Sequence, residues 1–345
     1  MPASTHTSTL FVGGYTEDAG GSGRGIRRLN RAADGTLSGE AVTPAAAPSF
    51  LAAHPRLPVL YAVGELVEGV VRAYSAAPDG ALELLAELPT GGREPCHVAV
   101  HPDGSALAVA NYGDGVASWW PLDAAGLPAG ERRTAANTGS GPDTDRQEGP
   151  HAHLSAFPGG DELWVTDLGT DEIRRYRGGL VPNPAGPIRV PVGAGPRHLA
   201  RAGDRWYLAG ELGGGSLIVL VPDGGDRWRV AHQVPASASS GDNLTSHVDV
   251  SADGRFVYVA NRGPDTLATF AVEDDRLVPV AEIPAGGAWP RHFVLVDDHL
   301  YVANQHSDTI TTFELPGGTG VPAPAGEPFP TPSPSCLIRW PHHRI

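Results

Sequence analysis

The stretch GPRHLARAGDRWYLAGE, Gly195 to Glu211, reads as two antiparallel strands and the turn between them. Gly195-Pro196 is a turn signal that opens the first strand, Gly203-Asp204 is the tip of a hairpin, and Trp206-Tyr207-Leu208 is the returning strand. Paired antiparallel strands advance equally, so folding at that tip brings Glu211 back to the level of Arg197. An arginine and a glutamate then stand at the same end of one two-strand unit.

The unit recurs. An apolar strand ending in a small or polar pair appears as FVGGY to Tyr15, YAVGE to Glu65, AVANY to Tyr112, WVTDL to Leu168, YLAGE to Glu211, YVANR to Arg262 and YVANQ to Gln305. These seven copies are spaced at roughly 50 residues, which suits four short strands per repeat. A strand precedes six of them, opening at Ser49, Cys96, Ala152, Arg197, Ser246 and Arg291. FVGGY has no such partner upstream, but the seventh opening, PSPSC with Ser335, lies at the far end of the chain. The reading is therefore all-β: a seven-bladed β-propeller of four antiparallel strands per blade, with the C-terminal strand paired to the N-terminal one to close the ring and remove exposed edges. Hairpins such as TLATFAV-EDDR-LVPVAEI supply the outer two strands. No linker or composition break divides the chain, so one domain spans residues 1–345, with its core at about 10–340.

Composition agrees. Forty-five Gly and 33 Pro are too many turn residues for a helical bundle, and 41% hydrophobic residues are too many for disorder. No apolar run is long enough to cross a membrane as a helix, and MPASTHTSTLFVGGYT lacks a basic region followed by an apolar one, so a cytoplasmic protein is expected. Two cysteines, Cys96 and Cys336, are too few for a disulfide framework and read as buried small hydrophobes. The net charge of −14 argues against nucleic-acid and anionic-membrane partners. It leaves room for a locally basic pocket and a small anionic substrate. A monomer or weak homo-oligomer is expected.

Within a blade, the start of the innermost strand and the end of the next share one face of the ring, near the central channel. The opposite turns, HPDG at His101 and SADG at Ser251, carry no chemical variety. At the channel mouth the variable positions bring three arginines, Arg197, Arg262 and Arg291, and two glutamates, Glu65 and Glu211, to one place, with Tyr15 and Tyr112 on the same rim. Arginine offers a fixed fork of donors suited to phosphate or carboxylate. Blade-end charges also form rim salt bridges, which is the bland reading of the same residues. His97, His153, His198, His247 and His292 recur at one repeat position, which suggests packing more than catalysis, whereas His151 stands where other repeats have Pro or Thr. The polar, helix-free segment 137–150 before His151 is a lid, a rim loop or a mobile insertion. GGSGRG, Gly20 to Gly25, is not a phosphate loop because no helix follows it, and no His/Asp cluster has metal-ligand spacing; neither metal nor cofactor is expected.

FVGGYT, GPHAH, VTDLG, GPRH, YVANRG with Asp265 two residues on, and the closing PSPSC resemble the lactonase family of seven-bladed propellers. That family includes 6-phosphogluconolactonases of this fold and 3-carboxy-cis,cis-muconate lactonising enzymes. The resemblance covers about Leu10 to Ile338. For the cyclising members it implies a site of one histidine, two arginines and one glutamate, falling here on His151 in GPHAH, Arg197, Glu211 and Arg262, with His153 the alternative histidine. Arg291 is added from the repeat reading alone, and Arg291, His153, Glu65 and Tyr15 are expected to bind substrate. The chain departs from the family's pattern at His151-Ala152-His153, where PHPH is common, and at Pro264, where His often follows NRG. Hydrolysis of 6-phosphoglucono-1,5-lactone, a pentose phosphate pathway step, is the expectation. Arg197 or Arg262 would bind the phosphate, the other would meet the oxyanion, and Glu211 or His151 would move the proton. The alternatives are carboxymuconate cycloisomerisation with the same residues, and a non-catalytic propeller that binds protein through an apolar patch around Trp119 and Trp120.

Overall fold

A computed structural model describes residues 8–77 and 80–341. Seven antiparallel sheets follow one another around a ring, as a β-propeller. We number the blades from the one that holds the N-terminal strand. Blade one is Pro334–Arg339, Ser8–Gly14, Gly25–Arg31 and Leu37–Pro44, from the channel outward. Blades two to seven span residues 51–89, 95–135, 152–189, 196–235, 244–284 and 290–330. In blade four the outermost strand is broken into two-residue pieces, Val181–Pro182 and Ile188–Arg189, both paired to Glu172–Arg177. The ring closes as the sequence predicts: Leu10 pairs with Arg339, Val12 with Leu337 and Gly13 with Cys336. The two glycines of FVGGY allow close approach. A Cβ at Gly13 would lie 2.3 Å from the Pro48 carbonyl oxygen, and one at Gly14 2.6 Å from that of Ser333.

The core lies between blades. Alternating strand residues give each sheet two apolar faces, and each face packs on the next blade. Tyr207, Leu217 and Val219 of blade five, for example, meet Val248, Val257 and Phe270 of blade six. Of the adjacent tryptophans, Trp120 is core, and Trp119 is half-buried beneath the Arg133 guanidinium at 5.1 Å. They form no open apolar patch.

Two local devices aim residues at the channel mouth. The first is a β-bulge near the start of the innermost strand. The register slips between Pro95 and His97, Ala152 and Leu154, Pro196 and Leu199, Thr245 and Val248, and Pro290 and His292. A bulge leaves a residue out of the ladder and re-aims its side chain. The residues at these slips include Cys96, His153, Arg197, Ser246 and Arg291. The second device is an aspartate after the second strand. Asp171, Asp265 and Asp308 adopt left-handed backbone at φ 54, 55 and 53°, a conformation that Asp tolerates better than most residues. Their carboxylates accept the amide of the loop leading into the next blade: Gly195 at 2.8 Å, Trp289 at 2.9 Å and Ser333 at 2.7 Å. Two residues beyond each amide stand Arg197, Arg291 and Ser335.

Below the mouth the channel is filled by rings. Phe50, His97, His198, His247 and His292 pack on one another, with His247 stacked on His292 at 3.9 Å and Phe50 against His97 at 4.2 Å. Burial holds all four imidazoles far below their ordinary value, His97 and His292 at about 3. They are neutral packing groups, joined in one place by a 2.8 Å contact between the Nδ1 atoms of His198 and His247.

Candidate active site

Above these rings lies a cavity of about 160 Å³, lined by Glu65, Cys96, Tyr112, Arg146, His153, Arg197, Glu211, Arg262 and Arg291. All three arginines and both glutamates read from the repeat positions share it. A smaller recess of about 10 Å³ continues from it, walled by Tyr15, Ser49, Glu65, Arg291 and Ser335.

The opening hairpin places Arg197 and Glu211 as its register requires. Pro196 pairs with Gly210, and the Glu211 amide donates to the Gly195 carbonyl at 2.8 Å. Glu211 is the hub of a buried cationic cluster. Its Oε2 is 2.9 Å from both Arg197 Nε and Arg262 Nη2, and its Oε1 is 2.7 Å from Arg146 Nη2. Burial alone would raise this carboxyl. The Arg262 and Arg197 guanidiniums overrule burial, with help from Arg146, and hold it well below the usual carboxylate range. Burial, followed by Arg262, in turn pulls the Arg197 guanidinium below its ordinary value. Backbone carbonyls fix the cluster: Arg197 donates to Ser246, and Arg262 Nε to Leu244 at 3.0 Å. The Arg262 guanidinium also lies 5.3 Å from the centre of the Trp289 ring.

Glu65 has different company. Tyr15 Oη lies 3.1 and 3.3 Å from its two oxygens, and Arg291 donates to that same phenol oxygen. Burial raises the Glu65 carboxyl, against the pull of Arg291. It also pushes the Tyr15 phenol and the Cys96 thiol above their ordinary values, so both stay protonated.

The two histidines of GPHAH part company. His153 faces the cavity, 3.8 Å through Nδ1 from Cys96 Sγ, and burial and Arg197 hold it neutral. His151 is not among the cavity-lining residues. Its ring stacks on Tyr112 at 4.5 Å, its Nδ1 donates to the Tyr112 carbonyl at 2.8 Å, and its Nε2 lies 3.1 Å from Glu148. It backs the wall that Tyr112 forms.

Arg146 was not singled out from sequence, since it belongs to no repeat. It lies in the 137–150 segment, which is a pinned rim loop. Gln147, fully buried, donates to the Leu168 carbonyl at 2.8 Å and to Asp171 at 3.0 Å. That anchor swings the preceding Arg146 inward to Glu211 and to the Tyr112 hydroxyl at 3.2 Å. Among the described residues no group of three or more His, Cys, Asp or Glu is arranged to hold a metal ion. No helix of the described residues is long and apolar enough to cross a membrane. The arrangement suits an anion held by guanidiniums beside a carboxyl of a different character.

Comparison with known proteins agrees with the geometry. The pattern of the family described as "Lactonase, 7-bladed beta-propeller" matches residues 9–339. A 6-phosphogluconolactonase of Bacillus subtilis is 31% identical over 302 residues, covering 82% of this chain and 85% of its own. A 6-phosphogluconolactonase of Formosa agariphila is 30% identical over 335 residues, covering 90% and 93%. Among solved structures, the periplasmic gluconolactonase of Pseudomonas aeruginosa superposes with a TM-score of 0.88 at 29% identity, covering 96% of this chain and 99% of that one.

Proposed function

The chain belongs to the seven-bladed β-propeller lactonase family, and from that premise we propose that it hydrolyses 6-phosphoglucono-1,5-lactone to 6-phosphogluconate, in the cytoplasm, as part of the pentose phosphate pathway. One observation carries the reading: Arg146, Arg197, Arg262 and Arg291 converge on a single cavity at the channel mouth. Four guanidiniums and two carboxyl groups share that cavity, which leaves an excess of positive charge there, in a chain whose net charge is −14. A small anion is the natural complement.

In this reading Arg262 and the more open Arg146 take the phosphate. Arg197, nearly without access to water, faces the carbonyl oxygen as negative charge develops on it. A fixed donor in a dry site stabilises such charge without reorganising. Glu211 already shares its oxygens among three guanidiniums, and a carboxylate held that far down is a weak base. Its part is to hold the arginines in place. The similarity to a gluconolactonase favours a second reading, in which the lactone carries no phosphate. The 3-carboxymuconate reaction uses the same arginines for carboxylates.

The experiment is hydrolysis of freshly made 6-phosphoglucono-1,5-lactone, measured above the uncatalysed rate, with 3-carboxy-cis,cis-muconate in parallel. Turnover of the phosphorylated lactone is expected. Lactonisation of the muconate without lactone hydrolysis would replace the proposal with the cyclase reading.

A further inference from the structure

Lactone opening needs a group that takes a proton from water and returns one to the ring oxygen. Glu211 is committed to three guanidiniums, and His151 turns its ring onto Tyr112, away from the cavity. We propose that Glu65 is the general base of the reaction and that Tyr15 and Arg291 hold it in position. The inference rests on the lactonase reading and deepens it.

Three observations lead to it. The first is placement. Glu65 directly follows the second strand of blade two and Glu211 that of blade five, three blades apart in a ring of seven. They stand on opposite sides of the mouth and line the same cavity. A substrate whose phosphate is held by Arg262 and Arg146 would present its lactone end to Arg197 and Glu65. The second is the hydrogen-bond chain. Arg291 donates to the Tyr15 oxygen, and the Tyr15 hydroxyl reaches both oxygens of Glu65. The Glu65 amide donates to the Ala47 carbonyl at 3.0 Å, which fixes the main chain. The carboxylate is oriented by a neutral phenol that leaves it lone pairs for water. The third is its electrostatic setting. The titratable groups facing Glu65 from other blades are Tyr15, Cys96, His153, Arg197, Arg291 and the neutral His198. Tyr15 and Cys96 are held protonated and His153 is held neutral, so the burial that raises the Glu65 carboxyl is opposed only by the two arginines and by the hydroxyls of Ser49 and Tyr15. Two carboxylates in one site are thus driven in opposite directions, the pattern that separates a proton carrier from a fixed charge.

The step balances. The Glu65 carboxylate takes a proton from water as the water oxygen bonds to the lactone carbonyl carbon, and the carbonyl electron pair moves onto its oxygen. When the carbonyl re-forms, the bond from that carbon to the ring oxygen breaks, and Glu65 returns the proton to the departing oxygen. The new carboxylic acid releases its own proton to solvent.

Steady-state pH profiles of the full chain on 6-phosphoglucono-1,5-lactone test this, with melting temperatures as a control for folding. In the wild type, kcat should rise with pH along a limb whose midpoint lies above the ordinary Glu value of about 4.3. Glu65→Gln should lose about 10²–10⁴-fold in kcat, with KM within a few-fold and the limb gone. Glu65→Asp should regain part of kcat together with a limb. Tyr15→Phe removes a hydrogen bond to the charged form, so its limb should move to higher pH. A folded Glu65→Gln variant that keeps its kcat, or loses kcat with the limb unmoved, would overturn the assignment while leaving the lactonase reading intact. A wild type that accelerates neither the phosphorylated nor the unphosphorylated lactone would overturn both.

Discussion

Glu211→Gln separates the organising role of this residue from a proton-transfer role. The substitution keeps the shape and removes one negative charge. Side-chain exposure is 3% at Arg197, 3% at Glu211 and 5% at Arg262, so two guanidiniums are left with almost no water to replace the lost partner. Arg146, at 33%, can turn outward. Removing one partner of a buried ion pair costs about 3–5 kcal/mol. An unfolding entropy of about 2.1 cal/mol/K per residue gives roughly 0.7 kcal/mol/K for a chain of this length, so the melting temperature should fall by about 4–7 °C. The sign with pH follows from the depressed Glu211 carboxyl. Its stabilisation is fully present above the unfolded value of about 4.3 and is lost as pH falls through the lower folded value, so the gap between wild type and variant should close in acid. Inorganic phosphate should bind the unpaired arginines and raise the melting temperature of the variant more than that of the wild type. Scanning calorimetry at neutral and acidic pH, with and without phosphate, measures all three effects. A variant that melts within about 1 °C of the wild type at neutral pH would refute the clamp, because a solvated pair contributes only about 0–1 kcal/mol.

Other outcomes are expected. Truncation before Pro334 exposes the edge of Leu10–Gly14 and should lower the melting temperature, with equal melting refuting closure as a source of stability. Gln147→Ala should release the rim loop and raise KM with little change in kcat, because Arg146 loses its anchor; an unchanged KM would detach the loop from binding. The channel histidines are folded in their neutral form with lowered values, so the unfolded chain binds more protons than the folded one between about pH 6.5 and the folded values. Stability should therefore be full above about pH 6.5 and fall as pH drops below it, and His292→Asn should flatten that fall in a thermal-shift titration; a wild type whose stability did not change between pH 7 and 5 would contradict the neutral girdle.

Much of this was written in the local pattern. The hairpin of Gly195 to Glu211, its match to six other strand pairs and the stray PSPSC at the end of the chain follow from turn residues and strand alternation, which are local. They give the ring, its closure and the set of residues at its mouth. The chemistry of those residues is not local. YAVGE and YLAGE end in the same residue at the same repeat position, yet Glu65 meets a phenol from blade one and Glu211 meets arginines from blade six and a rim loop. Nothing in either pentapeptide carries that difference. His151 and His153 differ by two positions, and their facing is decided by the register slip between Ala152 and Leu154, which alternation does not reveal. Arg146 lies outside every repeat, and only the buried Gln147 beside it brings it to the cavity.

The most direct test of the account is the ratio of kcat/KM for 6-phosphoglucono-1,5-lactone to that for the unphosphorylated lactone, in the wild type and in Arg262→Ala. A hydrogen bond to a charged group contributes about 1.5–3 kcal/mol, so the wild type should prefer the phosphorylated lactone by roughly 10–100-fold or more. Arg262→Ala should lose most of that preference while still turning over the unphosphorylated lactone. Equal rates on both lactones in the wild type, or a preference that survives the loss of Arg262, would contradict the claim that this arginine cluster is a phosphate site.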